Sequence, residues 1–199
     1  MKKIIFIGIT LLVISVSSVS AQAVWGLRAG VSRPTTIDDE KEAMEGEFGL
    51  EIGPVMYYSL KNNFYINSGL MFSMKTFKDE DTYYGETLSA SIKMSYLEIP
   101  LNIGYSIPIG KIHTYAQLGP YFGFNLSAKT KASYDGESAT DDIKEIVNPL
   151  NAGLGMMYGI NINRFKIEVG YQYGLTNFLK DDDYNTKLNS LFVGVSYVF

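Results

Sequence analysis

The 199-residue chain has no cysteine, one histidine and one tryptophan. Without cysteine there is no disulfide framework, no thiolate zinc site and no thiol nucleophile. A single imidazole excludes any metal site or mechanism that needs two within one chain. Cations are also in deficit: 17 Lys and Arg face 21 Asp and Glu. The net charge of -4 argues against nucleic acid, whose backbone is held by clustered basic groups. Beyond Gln22 no segment reaches 18 consecutive apolar residues, so no membrane-spanning helix is expected. What the chain does contain is 14% aromatic residues, 19 glycines and an average hydrophobic share of 46%. The deciding question is which medium those apolar residues face.

The amino-terminal residues read as an export signal. Lys2 and Lys3 precede the apolar stretch Ile4 to Val16, and Val19-Ser20-Ala21 offers a cleavage site ahead of Gln22. The stretch is shorter than the ~20 residues of a spanning helix. Residues 1–21 are therefore expected to be removed on export through the general secretory route, leaving residues 22–199 as one domain. The mature chain then carries 15 basic against 21 acidic residues.

After the signal, apolar and polar residues alternate with period two, the pattern of strands whose faces see different media. Eight such runs are expected: Ala23 to Ser32, Phe48 to Leu60, Phe64 to Thr76, Ile92 to Tyr105, Ile112 to Leu126, Pro149 to Tyr158, Phe165 to Leu175 and Leu188 to Phe199. The links alternate in length. Lys61-Asn62-Asn63, Ser106 to Lys111 and Asn161 to Arg164 are short and rich in turn residues, whereas Arg33 to Glu47, Phe77 to Ser91, Ser127 to Asn148 and Thr176 to Lys187 are long and polar. In the third long segment Thr140 to Ile146 is expected to form one helical turn capped by Thr140.

A soluble eight-stranded barrel of the lipocalin kind would turn its apolar face inward around a ligand. Here the opposite face is the crowded, charged one: Gly26, Gly30, Gly49, Gly53, Gly104 and Gly194 are mixed with Arg28, Glu51, Asn67, Glu98, Gln117 and Glu168. That composition suits the interior of a narrow barrel with lipid outside, because a Lys or Arg on the lipid face costs roughly 2–4 kcal/mol at the bilayer midplane. The expected fold is all-β, a transmembrane eight-stranded antiparallel up-and-down barrel, with short periplasmic turns and long extracellular loops. Aromatic residues fall in two bands. Trp25, Tyr58, Phe64, Tyr105, Tyr158, Phe165, Tyr197 and Phe199 mark the short-turn end, and Phe48, Phe124 and Tyr173 the loop end.

Gly26-Leu27-Arg28-Ala29-Gly30, Tyr96-Leu97-Glu98-Ile99-Pro100-Leu101, Gly119-Pro120-Tyr121, Gly174-Leu175-Thr176-Asn177 and Gly194-Val195-Ser196-Tyr197-Val198-Phe199 resemble the PorT-like outer-membrane β-barrel domain family of Bacteroidota. The resemblance spans essentially the whole mature chain. It implies a cell outer-membrane location and an OmpA/OmpX-like barrel. Members of that family are often labelled "porin family", and one is associated with type IX secretion. Val195, Tyr197 and Phe199 look like a carboxy-terminal signal for the barrel-assembly machinery.

Eight strands leave an interior that side chains fill, so an open pore is not expected. Arg28, Glu51 and Glu98 fall near mid-height on the inward face, with Lys166 and Glu168 lower, and Arg28 is expected to pair with Glu98 or Glu51. No catalytic, cofactor-binding or metal residue is expected, because His113 lies beside a periplasmic turn and the paired carboxylates lie in loops. Asp181-x-Asp183-x-Asn185 lacks the Gly and Glu of a calcium loop. The acidic loops, Asp38 to Glu47 above all, suit a structural or surface-interaction role. Narrow-pore passage of small solutes and a secretion-associated role are the alternatives. The expected partners are outer-membrane lipid or lipopolysaccharide, the assembly machinery and a surface or secretion partner, with the barrel itself a monomer.

Overall fold

The computed structural model describes residues 23–37, 46–83, 86–110, 112–134, 137–180 and 186–199. The expected export signal, most of the acidic first loop and the Asp181–Asp183 run lie outside the described residues. One antiparallel sheet contains β1 (Ala23–Ile37), β2 (Gly46–Glu47), β3 (Gly49–Ser59), β4 (Phe64–Gly69), β5 (Met71–Tyr83), β6 (Glu86–Ile109), β7 (Ile112–Tyr134), β8 (Glu137–Asp142), β9 (Leu150–Ile162), β10 (Phe165–Gly174) and β11 (Lys187–Val198). Among the described residues no helix occurs.

β1 pairs with β3 on one side and β11 on the other, which closes the sheet. β2 and β3 make one stave broken at Phe48, and β4 and β5 make another broken at Leu70. Pairing then runs through β6, β7, β9, β10 and β11, a ring of eight staves in chain order. Closure leaves no edge, as a bilayer interior requires.

The short turns need backbone that most residues avoid. Asn62, Asn63, Gly110 and Asn163 have φ of 58°, 64°, 61° and 57°, the left-handed region that Gly and Asn tolerate. The middle turn is tighter than the six-residue link Ser106 to Lys111 suggests: β6 and β7 stay paired down to Ile109 and Ile112.

The loop end differs more from the sequence reading. Phe77 to Tyr83, Glu86 to Ser91 and most of Ser127 to Asn148 are not irregular loops. β5 and β6 remain paired up to Tyr83 and Glu86, and β7 pairs with β8 up to Tyr134 and Glu137. Above the bilayer both faces of a ribbon meet water, so the ladder continues while the apolar alternation that betrays a strand disappears. Thr140 accordingly lies in β8, and the turn falls later, where Ile146 and Val147 backbone N–H groups donate to the Ile143 carbonyl at 3.1 and 3.3 Å. Val147 bridges to Leu179. It is buried with Phe77, Met94, Tyr96, Ala128 and Leu188, against which Ile143 and Phe178 pack. An apolar cap thus covers the loop-end mouth.

The wall faces outward with its apolar residues. Leu101, Ile103, Leu118, Met156 and Val193 are exposed, while Arg28, Lys75, Glu98 and Glu168 on the other face are 2% exposed or less. Such an inside-out distribution is stable only with lipid around it. At the short-turn end Phe64 meets Tyr105 with ring centroids 4.9 Å apart, and Phe165, Tyr197 and Phe199 form a chain of contacts at 5.1 and 5.7 Å. Phe48, Phe124 and Tyr173 are exposed toward the loop end. These two bands match the headgroup levels that amphipathic rings prefer.

Candidate functional site: a charge-filled lumen

Among the described residues, the inward positions of the staves bring six charged side chains into the lumen: Arg28, Lys75 and Lys166 against Glu51, Glu98 and Glu168. They sort into two groups at different heights.

The first group straddles β11. Arg28 is the register partner of Ser196, which is in turn the partner of Lys166, and Glu168 stands opposite Gly194 one step along. Arg28 reaches diagonally across β11 to Glu168, while the Phe192 ring takes the space over Gly194. Its Nε donates to Glu168 Oε2 at 2.8 Å and its Nη2 to Oε1 at 3.1 Å, a bidentate pair. Ser196 Oγ and Tyr115 Oη each donate to the same carboxylate at 2.7 Å. Arg28 Nη2 also lies 3.4 Å from Tyr57 Oη. The Glu168 oxygens are thereby saturated, which a carboxylate needs when water is excluded.

Arg28 therefore pairs with neither Glu98 nor Glu51, contrary to the expectation from sequence. Alternation places a side chain on the inner face, but which inner neighbours meet depends on the stagger between staves, which alternation does not encode.

The second group lies nearer the loop end. Lys75 Nζ meets Glu98 Oε1 at 2.9 Å and donates to Gln172 Oε1 at 3.2 Å, while Gln172 Nε2 donates to Glu98 Oε2 at 2.8 Å. Three strands, β5, β6 and β10, are thus tied across the lumen. Glu51 sits beside its register partner Ser73, whose Oγ lies 3.5 Å from Oε1. Alternation puts Lys75 on the inward face with Ser73, but the charge network expected from sequence does not include it. A charge count carried the signal: Arg28 and Lys166 leave three glutamates one cation short.

Lys166 has a different environment. Its ammonium lies 4.0, 4.2 and 5.3 Å from the ring centroids of Tyr57, Tyr115 and Tyr65, a three-sided aromatic cage. Tyr65 covers Gly104, its cross-strand partner, so closely that a Cβ there would clash with the hydroxyl end of the ring. Tyr65 Oη donates to Gln117 Oε1 at 3.1 Å, and Gln117 and Asn102 both donate to Asn67 Oδ1, at 3.3 and 3.4 Å.

Little space remains. The cavity among Arg28, Glu51, Glu98 and Gln172 holds about 40 Å³, room for no more than a few waters. Below it, a cavity of about 390 Å³ opens at the short-turn end, with Lys166, Tyr115 and His113 among its lining. The arrangement is a vestibule closed by a caged lysine and then by two ion-paired layers. Val195, Tyr197 and Phe199 lie outside it, at the end of β11, with Val195 and Phe199 exposed on the wall.

The family model described as "Outer membrane protein beta-barrel domain" matches residues 19–180. No curated protein matches the sequence. Among solved structures, Neisserial surface protein A is similar at a TM-score of 0.53 with 14% identity, over 90% of this chain and 100% of that one. Ail, the attachment invasion locus protein of Yersinia pestis, is similar at 0.47 with 16% identity and the same coverage. OprG of Pseudomonas aeruginosa is similar at 0.43 with 12% identity, over 89% of this chain and 94% of that one.

Proposed function

This chain belongs to the outer membrane protein beta-barrel domain family, and on that premise we propose that it is a plugged barrel serving a structural or surface-interaction role through its extracellular end. The observation that carries this reading is the filled lumen, in which two cross-linked ion-paired layers leave about 40 Å³. A chain with no path through it presents its working surface at one of its ends. The β5–β6 and β7–β8 ribbons enlarge the outer one. In this reading the precursor is exported by the general secretory route, inserted by the barrel-assembly machinery with the help of Val195, Tyr197 and Phe199, and works as a monomer without catalysis or cofactor.

The test is conductance of the purified barrel in planar bilayers, paired with loop replacements scored for surface binding. We expect no steady conductance and loss of binding on replacing residues 38–45 and 181–185 with short neutral links. A stable open current would support narrow-pore passage instead. Loss of protein secretion on gene deletion, with no loss of surface binding, would favour the PorT-like role, for which the motif resemblance is the support.

A further inference from the structure

We propose that the outward face of the β6–β7 ribbon, built from Lys93, Lys129 and Lys131 with Ser95 and Ser127, binds the phosphate groups of an outer-leaflet lipid. The proposal rests on the outer-membrane placement of the barrel and not on the surface role above.

Register makes the patch. Lys93 and Lys129 are direct cross-strand partners, Lys131 is the partner of Ser91 on the next outward row, and Ser95 is the partner of Ser127 on the row below. All three lysines are exposed. Like charges directly opposite each other destabilise a sheet, so the Lys93–Lys129 pairing itself costs stability. Among the described residues none of the three lysines forms an ion pair with a carboxylate. Asp142 is the other register partner of Lys129 and the carboxylate nearest to it in register; its Oδ1 accepts the Lys144 backbone N–H at 2.9 Å, and it forms no ion pair with Lys129. On the other side Glu47 is two strands away from Lys93, beyond Thr76.

A bulge creates the face. The β6–β7 register shifts at Ser95/Tyr96, so that Tyr96 pairs with Asn125 while Ser95 pairs with Ser127. The extra residue, Leu126, reverses the parity of β7. Asn125 and Tyr121 point inward below it, whereas Ala128 points inward above it and Lys129 and Lys131 point out. Without the bulge both lysines would aim toward the lumen side; bulges commonly re-aim side chains in this way.

Height then selects the ligand. Leu97 and Phe124 form a cross-strand pair at the upper rim of the apolar wall. Lys93 lies four residues further, about 13 Å along the strand and less along the membrane normal once strand tilt is counted. That is the headgroup level. Ammonium groups over two serine hydroxyls supply charge and donors to a phosphate there, while Leu97, Phe124 and Leu126 below offer contact to its acyl chains.

The experiment titrates the folded mature barrel, in neutral detergent, with diphosphorylated lipid A, with the same lipid dephosphorylated, and with inorganic phosphate, and counts bound lipid by native mass spectrometry. The phosphorylated lipid is expected to bind at least about tenfold more tightly than the dephosphorylated one. The variant K93Q/K129Q/K131Q is expected to lose roughly fivefold per lysine, on the order of a hundredfold in total. K61Q, at the opposite end, is expected to bind as wild type. Heat-modifiable gel mobility reports folding of each variant, and K129Q alone, losing roughly fivefold, decides the matter if the triple variant does not fold. Equal binding of both lipids, an unchanged triple variant, or displacement of the lipid by equimolar inorganic phosphate would overturn the proposal. None of these outcomes depends on whether the barrel conducts or binds a surface partner.

Discussion

Removing either member of the Arg28–Glu168 pair strands the other. The pair is bidentate, nearly inaccessible and tied in by Ser196 and Tyr115, and breaking a buried pair typically costs about 3–5 kcal/mol. Glu168→Gln is therefore expected to lower the stability of the refolded barrel by about that amount, read as a urea midpoint shift from the fluorescence of Trp25. Replacing both residues by Met is expected to cost less than Glu168→Gln alone, because no unpaired charge remains. If the double variant is the less stable of the two, desolvation is not what governs this site. Gly104→Val is a second residue-scale test. Its side chain would displace the Tyr65 ring and with it the bond to Gln117, so a destabilisation above about 1 kcal/mol is expected from the same titration.

At the level of strands and turns, Asn163 closes the β9–β10 hairpin with φ of 57°. Asn163→Gly is expected to be near neutral, whereas Asn163→Val, a β-branched residue in left-handed backbone, costs roughly 1–2 kcal/mol. The ribbons make the opposite prediction. They lie beyond the apolar wall, so joining Lys78 to Ser91 through Asn-Gly is expected to leave the barrel folded, seen as retained heat-modifiable mobility. How much was legible in the sequence follows from the same division. Within the bilayer each stave alternates between two media, and runs such as Gly49–Ser59 and Phe165–Gly174 stand out within a residue or so of their true bounds. Above the bilayer that contrast is lost, so Phe77 to Tyr83 and Ser127 to Tyr134 read as loops although they are paired strands. The Leu126 bulge left no mark either, since two consecutive outward residues look like an ordinary lapse in alternation. Alternation also gave the inward face of Arg28 and Glu168 but not their union, because stagger is a property of the closed ring and not of any one strand.

At the scale of the molecule, the interior balances three cations against three carboxylates among the described residues, with almost no free volume among them. A plug of this kind predicts that single neutralisations will not make a clean channel, since each leaves the opposing tie in place. Lys75→Ala with Glu98→Ala removes the ion pair of the upper layer and leaves Glu51 and Gln172, and the Arg28–Glu168 layer still blocks the lumen. We expect no steady current from that double variant in planar bilayers. A current of stable amplitude would show that one layer alone does not seal the barrel.

The position of the lower ion pair also bears on how the ring comes together. Arg28 belongs to the first stave and Glu168 to the seventh, and the last stave, β11, lies between them. The two charges meet only after the chain's first and last strands have zipped to each other, so an open sheet in the bilayer holds both of them unneutralised. The contact works as a clasp on the seam. The membrane's intolerance of a lone charge drives the clasp shut and resists its opening, which biases the finished barrel against lateral gaping or strand exchange with a neighbour.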